Sequence, residues 1–198
     1  MTRLVAFGCS YTYGSHLSDC PPDSLQPSSF SWPALAAEKL GIEVINCSKP
    51  GSSNLEILHT ILNFNFKKDD IVVVLWSMFS RGTIFDKGKM IRYGIWLPEY
   101  SKWLGAQTEN HLIMMSWLYM HHAESYLQNL NLKNYSYIVE QSIMIEHKPS
   151  FINLTNLKDV KSIFNKMPDY GNDKLHPGKI THELFSEIVY EDLNFEHC

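Results

Sequence analysis

The chain has 198 residues, 17 Lys and Arg against 21 Asp and Glu, a net charge of −4 and 44% apolar content. Those values suit one ordinary soluble domain, and the scattered cations argue against a nucleic-acid partner, because phosphate-backbone affinity needs clustered Lys and Arg. Cys9, Cys20, Cys47 and Cys198 have no C-x-x-C spacing and read as reduced thiols; with no apolar run near about 18 residues and no cleavable leader, no membrane partner is expected and cytoplasmic residence is the default.

The first predicted strand is Arg3–Phe7, followed by the turn Gly8-Cys9-Ser10-Tyr11-Thr12-Tyr13-Gly14. A polar loop over 15–29 holds Pro21, Pro22 and Pro27. Ser31-Trp32-Pro33 then opens a helix through Leu40, since Ser is a good N-cap and Pro suits the first helical turn, and Gly41 ends it. A strand over 42–45 leads through the loop 46–54 into a helix over 55–64. The unbroken apolar run 71–75 suits a strand buried on both faces.

Residues 77–110 have no strong period, and we assign an aromatic insert to about 82–110, with Tyr93, Trp96, Tyr100 and Trp103 around Pro98. It reads either as a lid or stacking wall over a ligand, or as a satellite cluster covering a sheet edge or a subunit contact. A long helix over 109–130 places Leu112, Met115, Leu118, Tyr119, His122, Tyr126 and Leu130 near one face. Strands over 137–140 and 151–154 follow. A closing helix over 177–193 carries Ile180, Leu184, Phe185, Ile188 and Val189 on one face. Alternating strands and helices predict a single α/β domain with a five-stranded parallel sheet. Ligands of such sheets sit beyond the carboxyl ends of the strands, which directs attention to the loops 8–14, 46–54 and 76–81.

Asp173-Lys174-Leu175-His176 puts a carboxylate and an imidazole three residues apart. In one turn the Asp can accept from one ring N–H and fix the tautomer, leaving the other nitrogen to take a proton from a hydroxyl. Ser10 is the natural partner, because a serine needs such a base near neutral pH. A helix-start Asp beside a surface His is the plain alternative. In the second loop Gly51 can turn a backbone N–H toward a growing oxyanion; an ordinary loop capped by Ser52 or Ser53 is the alternative there. His121-His122 with Glu124 hints at a metal, but neighbours on a helix point about 100° apart, so we assign no metal. His16, His111 and His182 find no partner in the sequence, and His182 reads as packing.

Together these blocks resemble the SGNH (GDSL-type) hydrolase superfamily. Phe7-Gly8-Cys9-Ser10 is similar to the family's G-D-S block with Cys9 in the Asp place, Gly51 to its second block, and Asp173 with His176 to its closing D-x-x-H. The resemblance spans nearly the whole chain. It implies a flavodoxin-like three-layer α/β/α sandwich and metal-independent, cofactor-free ester hydrolysis, with Ser10, His176 and Asp173 as the triad. It selects Ser10 over Cys9 as the nucleophile; Cys9 then packs inward. The chain departs from the family's G-x-N-D block, where Leu75-Trp76-Ser77-Met78-Phe79-Ser80-Arg81 puts Met78 in the place of the oxyanion Asn. Met cannot donate, so Asn54 or Ser77 is assigned that role, with Arg81 for an anionic part of the substrate or for anchoring its loop.

The reading that follows is a serine esterase acting on a small or carbohydrate-borne ester, O-acetyl included. A module of the same fold that binds such a ligand without turnover is the alternative, motivated by the missing Asn. A nucleotide or flavin binder fits less well, because the 8–14 loop lacks a P-loop Lys and a dinucleotide spacing.

Overall fold

The computed structural model describes residues 2–94, 97–98, 102, 105, 107–158, 163–164 and 166–194, and the side chains of all of these except 141 and 142. Four strands build its parallel sheet: β1 (Arg3–Phe7), β2 (Glu43–Asn46), β3 (Asp70–Trp76) and, after a separate antiparallel hairpin β4 (Gly82–Asp86) and β5 (Lys89–Tyr93), β6 (Lys133–Ile138). The order is β2-β1-β3-β6, with Val5 beside Ile45 and Val72, and Val74 beside Ser136.

The period of two along each strand divides the core into two layers. Leu4, Ala6, Val73, Leu75 and Tyr137 face α2 (Trp32–Leu40) and the closing helix, numbered α6 below (Lys179–Asn194). Val5, Phe7, Val72, Val74 and Trp76 face α3 (Asn54–Leu62) and α4 (Glu109–Asn129). This is the three-layer α/β/α sandwich. At the amino edge the Arg3 guanidinium grips the buried Asp70 carboxylate at 2.8 and 2.6 Å, fastening β1 to β3.

Several predicted features shift. The fifth strand is not formed at 151–154, where Phe151 is exposed. Residues 156–158 run beside β6 instead: Ser136 N–H donates to Asn156 O at 2.9 Å, Lys158 N–H to Ser136 O at 2.8 Å, and Ser136 bridges Leu157 in parallel sense. Four strands are therefore described in the sheet where five were predicted. The strand predicted at 137–140 begins earlier, at Lys133.

The predicted faces of both long helices are rotated. In α4 the core takes Ile113, Trp117, Met120, Ala123 and Leu127, while Leu118, His122 and Leu130 are exposed. Trp117 decides this, because its ring packs into the layer formed by Val5, Val72 and Trp76 and its Nε1–H donates to Met144 O at 2.9 Å. In α6 Phe185 and Val189 are buried, but Ile180 and Leu184 are exposed, and Thr181, His182 and Ser186 take the inner positions. Unpredicted elements are α1 (Ser10–Tyr13), α5 (Gln141–Glu146) and the β4–β5 hairpin, which occupies the first part of the insert. Of the insert's aromatic residues Tyr93 ends β5, and Trp96, Tyr100 and Trp103 lie outside the described residues. No helix among the described residues is long and apolar enough to cross a membrane.

Candidate active site

Ser10 is the first residue of α1, at the carboxyl end of β1. The chain turns that sharply because Gly8 has no side chain: a Cβ there would meet Thr12 Oγ1 at 2.0 Å. Thr12 and Tyr13 N–H both return to Cys9 O at 3.0 Å, and Gly14, in the left-handed region at φ 76°, closes the turn onto Ser10 O. Cys9 packs inward, 2% exposed, as a small apolar residue. Ser10 Oγ is shielded from solvent and has no hydrogen-bond partner among the described residues.

The second loop is tied to the first by Asn46, whose Nδ2 donates to Thr12 O at 2.9 Å and whose Oδ1 accepts from Ser48 N–H at 3.1 Å. Gly51 has φ +78°, a conformation that glycine adopts without strain, and lines the same cavity as Ser10. Ser53 caps α3 by accepting from Glu56 N–H at 3.3 Å and meets Thr83 Oγ1 of the hairpin at 2.8 Å. Arg92 of the hairpin clasps the fully buried Glu56 carboxylate at 2.7 and 2.6 Å. That pairing raises the Arg92 pKa.

In the D-x-x-H block the carboxylate and the imidazole are in contact. His176 Nδ1 lies 2.6 Å from Asp173 Oδ2, while Asp173 Oδ1 accepts from Leu175 and His176 N–H at 3.0 Å each. Partial burial pushes the Asp173 carboxyl up, but the His176 backbone N–H, the His176 ring and Leu175 N–H outweigh it and hold the group at about 2. Burial lowers His176 against the opposing pull of Asp173, which favours the neutral ring that can act as a base. The ring is clamped between the edge of Tyr11, at 5.8 Å, and the face of His16, stacked at 4.8 Å. Burial lifts the Tyr11 hydroxyl to about 12, so it stays protonated.

A cavity of about 560 Å³ brings together Ser10, Gly51, Arg81 and His176, with Asp173 behind the ring. Ser10 and His176 line it without hydrogen-bonding to one another. Tyr11, Tyr13, Pro21, Pro50 and Met78 supply its apolar walls. Two of the predicted oxyanion donors are not brought there. The Asn54 amide faces a different cavity: its Nδ2 donates to Ser77 O and Ser116 Oγ at 3.1 Å each, and its Oδ1 accepts from Ser77 N–H at 2.8 Å. Ser77 is buried, its N–H engaged by Asn54 and its Oγ accepting from Arg81 Nη1 at 3.2 Å. Met78, at the position where an oxyanion Asn is expected from the sequence, does line the cavity.

The sequence had assigned His16 no partner. In the structure its ring covers His176, and nothing in the spacing could signal this, because a loop-to-loop contact produces it: Asn172 N–H donates to His16 O at 2.9 Å. Among the described residues His16, Asp173 and His176 are the one group of His, Cys, Asp and Glu close enough to hold a metal ion. His121 and His122 lie exposed on α4, while Glu124 turns inward to accept from Thr155 and Asn156 N–H at 2.8 and 3.0 Å.

No protein-family model matches the chain, and no curated protein matches it in sequence. Solved structures do match in shape. A carbohydrate esterase whose active site displays divergent catalytic and non-catalytic binding functions superposes with TM-score 0.64 at 12% identity, over 97% of this chain and 68% of that one. An acetyl xylan esterase from the rumen bacterium Butyrivibrio proteoclasticus gives TM-score 0.62 at 11% identity, over 98% and 64%. A putative lipolytic protein of the G-D-S-L family from Desulfitobacterium hafniense DCB-2 gives TM-score 0.56 at 12% identity, over 96% and 99%. The chain thus spans about two thirds of the two carbohydrate esterases and nearly all of the lipolytic protein. Its fold is that of the SGNH (GDSL-type) hydrolases.

Proposed function

We propose that the chain is a metal-independent serine esterase acting on a small or carbohydrate-borne ester, acetyl esters included, through an acyl-enzyme on Ser10. The observation that carries this is the His176–Asp173 contact at 2.6 Å on the rim of the cavity that Ser10 also lines. Ser10 Oγ attacks the ester carbonyl while His176 Nε2 takes its proton; Nδ1–H stays on Asp173, which steadies the imidazolium. The carbonyl electrons move onto oxygen, where the N–H groups of Ser10 and Gly51 receive them. The tetrahedral intermediate collapses, the alcohol leaves with the proton from His176, and water repeats the sequence to release the acid. The Ser10–His176 hydrogen bond is formed as substrate arrives, since such bonds are often long in a free enzyme and tighten in the complex. Aromatic and proline walls suit an acyl group and the apolar faces of a sugar ring, and the carbohydrate esterases of the same fold favour that substrate class.

A second reading has its own observation: with Met78 in the cavity and the Asn54 amide engaged elsewhere, no Asn among the described residues lines the cavity beside Ser10. On that reading the cavity binds a carbohydrate or ester without turnover. A fluorophosphonate probe separates the two. The esterase gains the probe's mass on Ser10, and Ser10→Ala does not. Folded wild-type protein that stays unlabelled beside a labelled control esterase refutes the first reading and leaves the second.

A further inference from the structure

The cavity rim holds more than a triad requires. Both His176 Nδ1, at 2.6 Å, and His16 Nε2, at 3.5 Å, approach the same oxygen, Asp173 Oδ2. The ligand atoms of the three residues all lie within 4.8 Å of one another. His16 is placed there at some expense: its backbone sits in the left-handed region at φ 68°, uncommon for a residue with a side chain. The strain is held by Asn172 N–H on His16 O and by Gly171, where a Cβ would meet that same oxygen at 3.0 Å. Such a strained residue at a site points to a role for its side chain. The carboxylate is oriented from behind by Leu175 and His176 N–H, as outer partners orient a metal ligand.

We propose that His16, Asp173 and His176 bind a divalent transition-metal ion of the zinc class through Nε2, Oδ2 and Nδ1, and that its binding switches the serine site off. Two imidazoles and a carboxylate match the ligands that zinc prefers, and the side chains, 23%, 19% and 21% exposed, leave a path from solvent and room for a water as fourth ligand. Bonds of about 2.0–2.1 Å set tetrahedral donors about 3.3 Å apart. The carboxylate therefore swings back from Nδ1 by less than about 1 Å, and the His16 ring tilts out of its stack. The ion takes the Nδ1 lone pair, so His176 binds as the neutral tautomer and its proton moves from Nδ1 to Nε2 through solvent. Nε2 then has no lone pair for the Ser10 proton, and Asp173 no longer steadies an imidazolium. The switch rests on the serine-esterase reading; the binding does not.

The test uses the intact protein, stripped with a chelator and titrated with cobalt chloride and then zinc chloride. The expected result is visible ligand-field absorption saturating at one equivalent of Co²⁺ and bleached by Zn²⁺. His16→Asn, which tolerates the left-handed backbone, weakens binding at least about tenfold, the loss that even outer-shell partners of a metal carry. Asp173→Asn does the same and guards against a misfolded His16 variant. Zn²⁺ suppresses ester hydrolysis and Ser10 labelling at least tenfold, and a chelator restores both. The proposal is overturned by absence of the absorption, by unchanged affinity in both variants, or by thiolate-to-cobalt charge transfer, which puts the ion on a cysteine. Binding without loss of labelling overturns the switch. His16-dependent binding in a protein that never labels keeps the metal site and refutes the esterase; labelling indifferent to Zn²⁺ in the absence of binding does the reverse.

Discussion

His182 gives the fold a defined acid sensitivity. It is 2% exposed on the inner face of α6, and its Nδ1 accepts the backbone N–H of Trp32, at the start of α2, at 3.1 Å. The ring proton therefore sits on Nε2, which has no partner among the described residues. A second proton has to enter at Nδ1, directly against the Trp32 N–H, so two donors would face one another. Burial drives the pKa down, Asp169 pulls it back in part and His176 adds to the lowering; the result is about 4 against an ordinary 6.5.

A histidine with a lowered folded pKa contributes its full stability above 6.5, and loses it as pH falls from 6.5 to 4, because the unfolded chain binds the proton first. At about 1.4 kcal/mol per unit, that window amounts to about 3 kcal/mol. The measurement is urea unfolding at steps across it, with the m-value checked for constancy. His182→Gln keeps an acceptor for Trp32 N–H and removes the titration. The wild-type minus variant difference then cancels the other groups, among them His176, lowered by burial, and Glu140, raised by burial. The difference falls by about 3 kcal/mol between the ends of the window. Parallel curves refute the reasoning, as does an NMR titration of His182 with a midpoint at its ordinary value.

Two further outcomes concern the walls of the cavity. Arg92→Ala leaves the Glu56 carboxylate buried without its partner and destabilises by about 3 kcal/mol, the lower end for a broken buried pair because the Arg92 side chain is 37% exposed; a urea midpoint change worth under about 0.5 kcal/mol, the scale of a surface pair, counts against it. Met78→Asn supplies the cavity with an amide donor, each such donor being worth about 10²–10³ in kcat. On the serine-esterase proposal it raises the rate of ester hydrolysis at least tenfold, and a Ser10-labelling variant with an unchanged rate contradicts the assignment of Met78 to the oxyanion position.

The legible parts of the fold are those where local chemistry decides. Pro33 and Gly41 bracket α2 as predicted, because a first-turn proline and a left-handed glycine act within a few residues; Ser31 holds the N-cap position, but its hydroxyl donates to Ser28 O and does not cap the helix. The β3 run is legible for the same reason, since a strand covered on both faces has no polar position to obscure it. Helix faces were less so. Leu118 and Leu130 share the apolarity of the residues chosen for the core of α4, and the fit of Trp117 against Val72 and Trp76 selects the other face. The hairpin was hidden because Ile84, Phe85, Met90 and Ile91 are all exposed, which removes the alternation that marks a strand. Its turn at Asp86-Lys87-Gly88, with Lys87 and Gly88 at φ 48° and 79°, was the available cue.

The candidate site divides along the same line. Asp173 and His176 meet because they stand three positions apart in one turn, so their contact is local and could be read from spacing. An oxyanion donor is a tertiary matter. Asn54 follows the second loop, as a donor should, yet the structure uses its amide as a fastener: both ends bond to Ser77, so the amide locks the start of α3 to the exit of β3. That fastening orients the next residue, Met78, into the cavity. An amide cannot satisfy the buried N–H and C=O of Ser77 and also face a substrate, because its acceptor and a donor are already committed and the second donor bond goes to Ser116. Removing it to test catalysis would therefore collapse the loop that carries Met78, Ser80 and Arg81. Position 78 is a place where a side-chain donor can be added without that loss, because Met78 already lines the cavity and its side chain holds no buried backbone group.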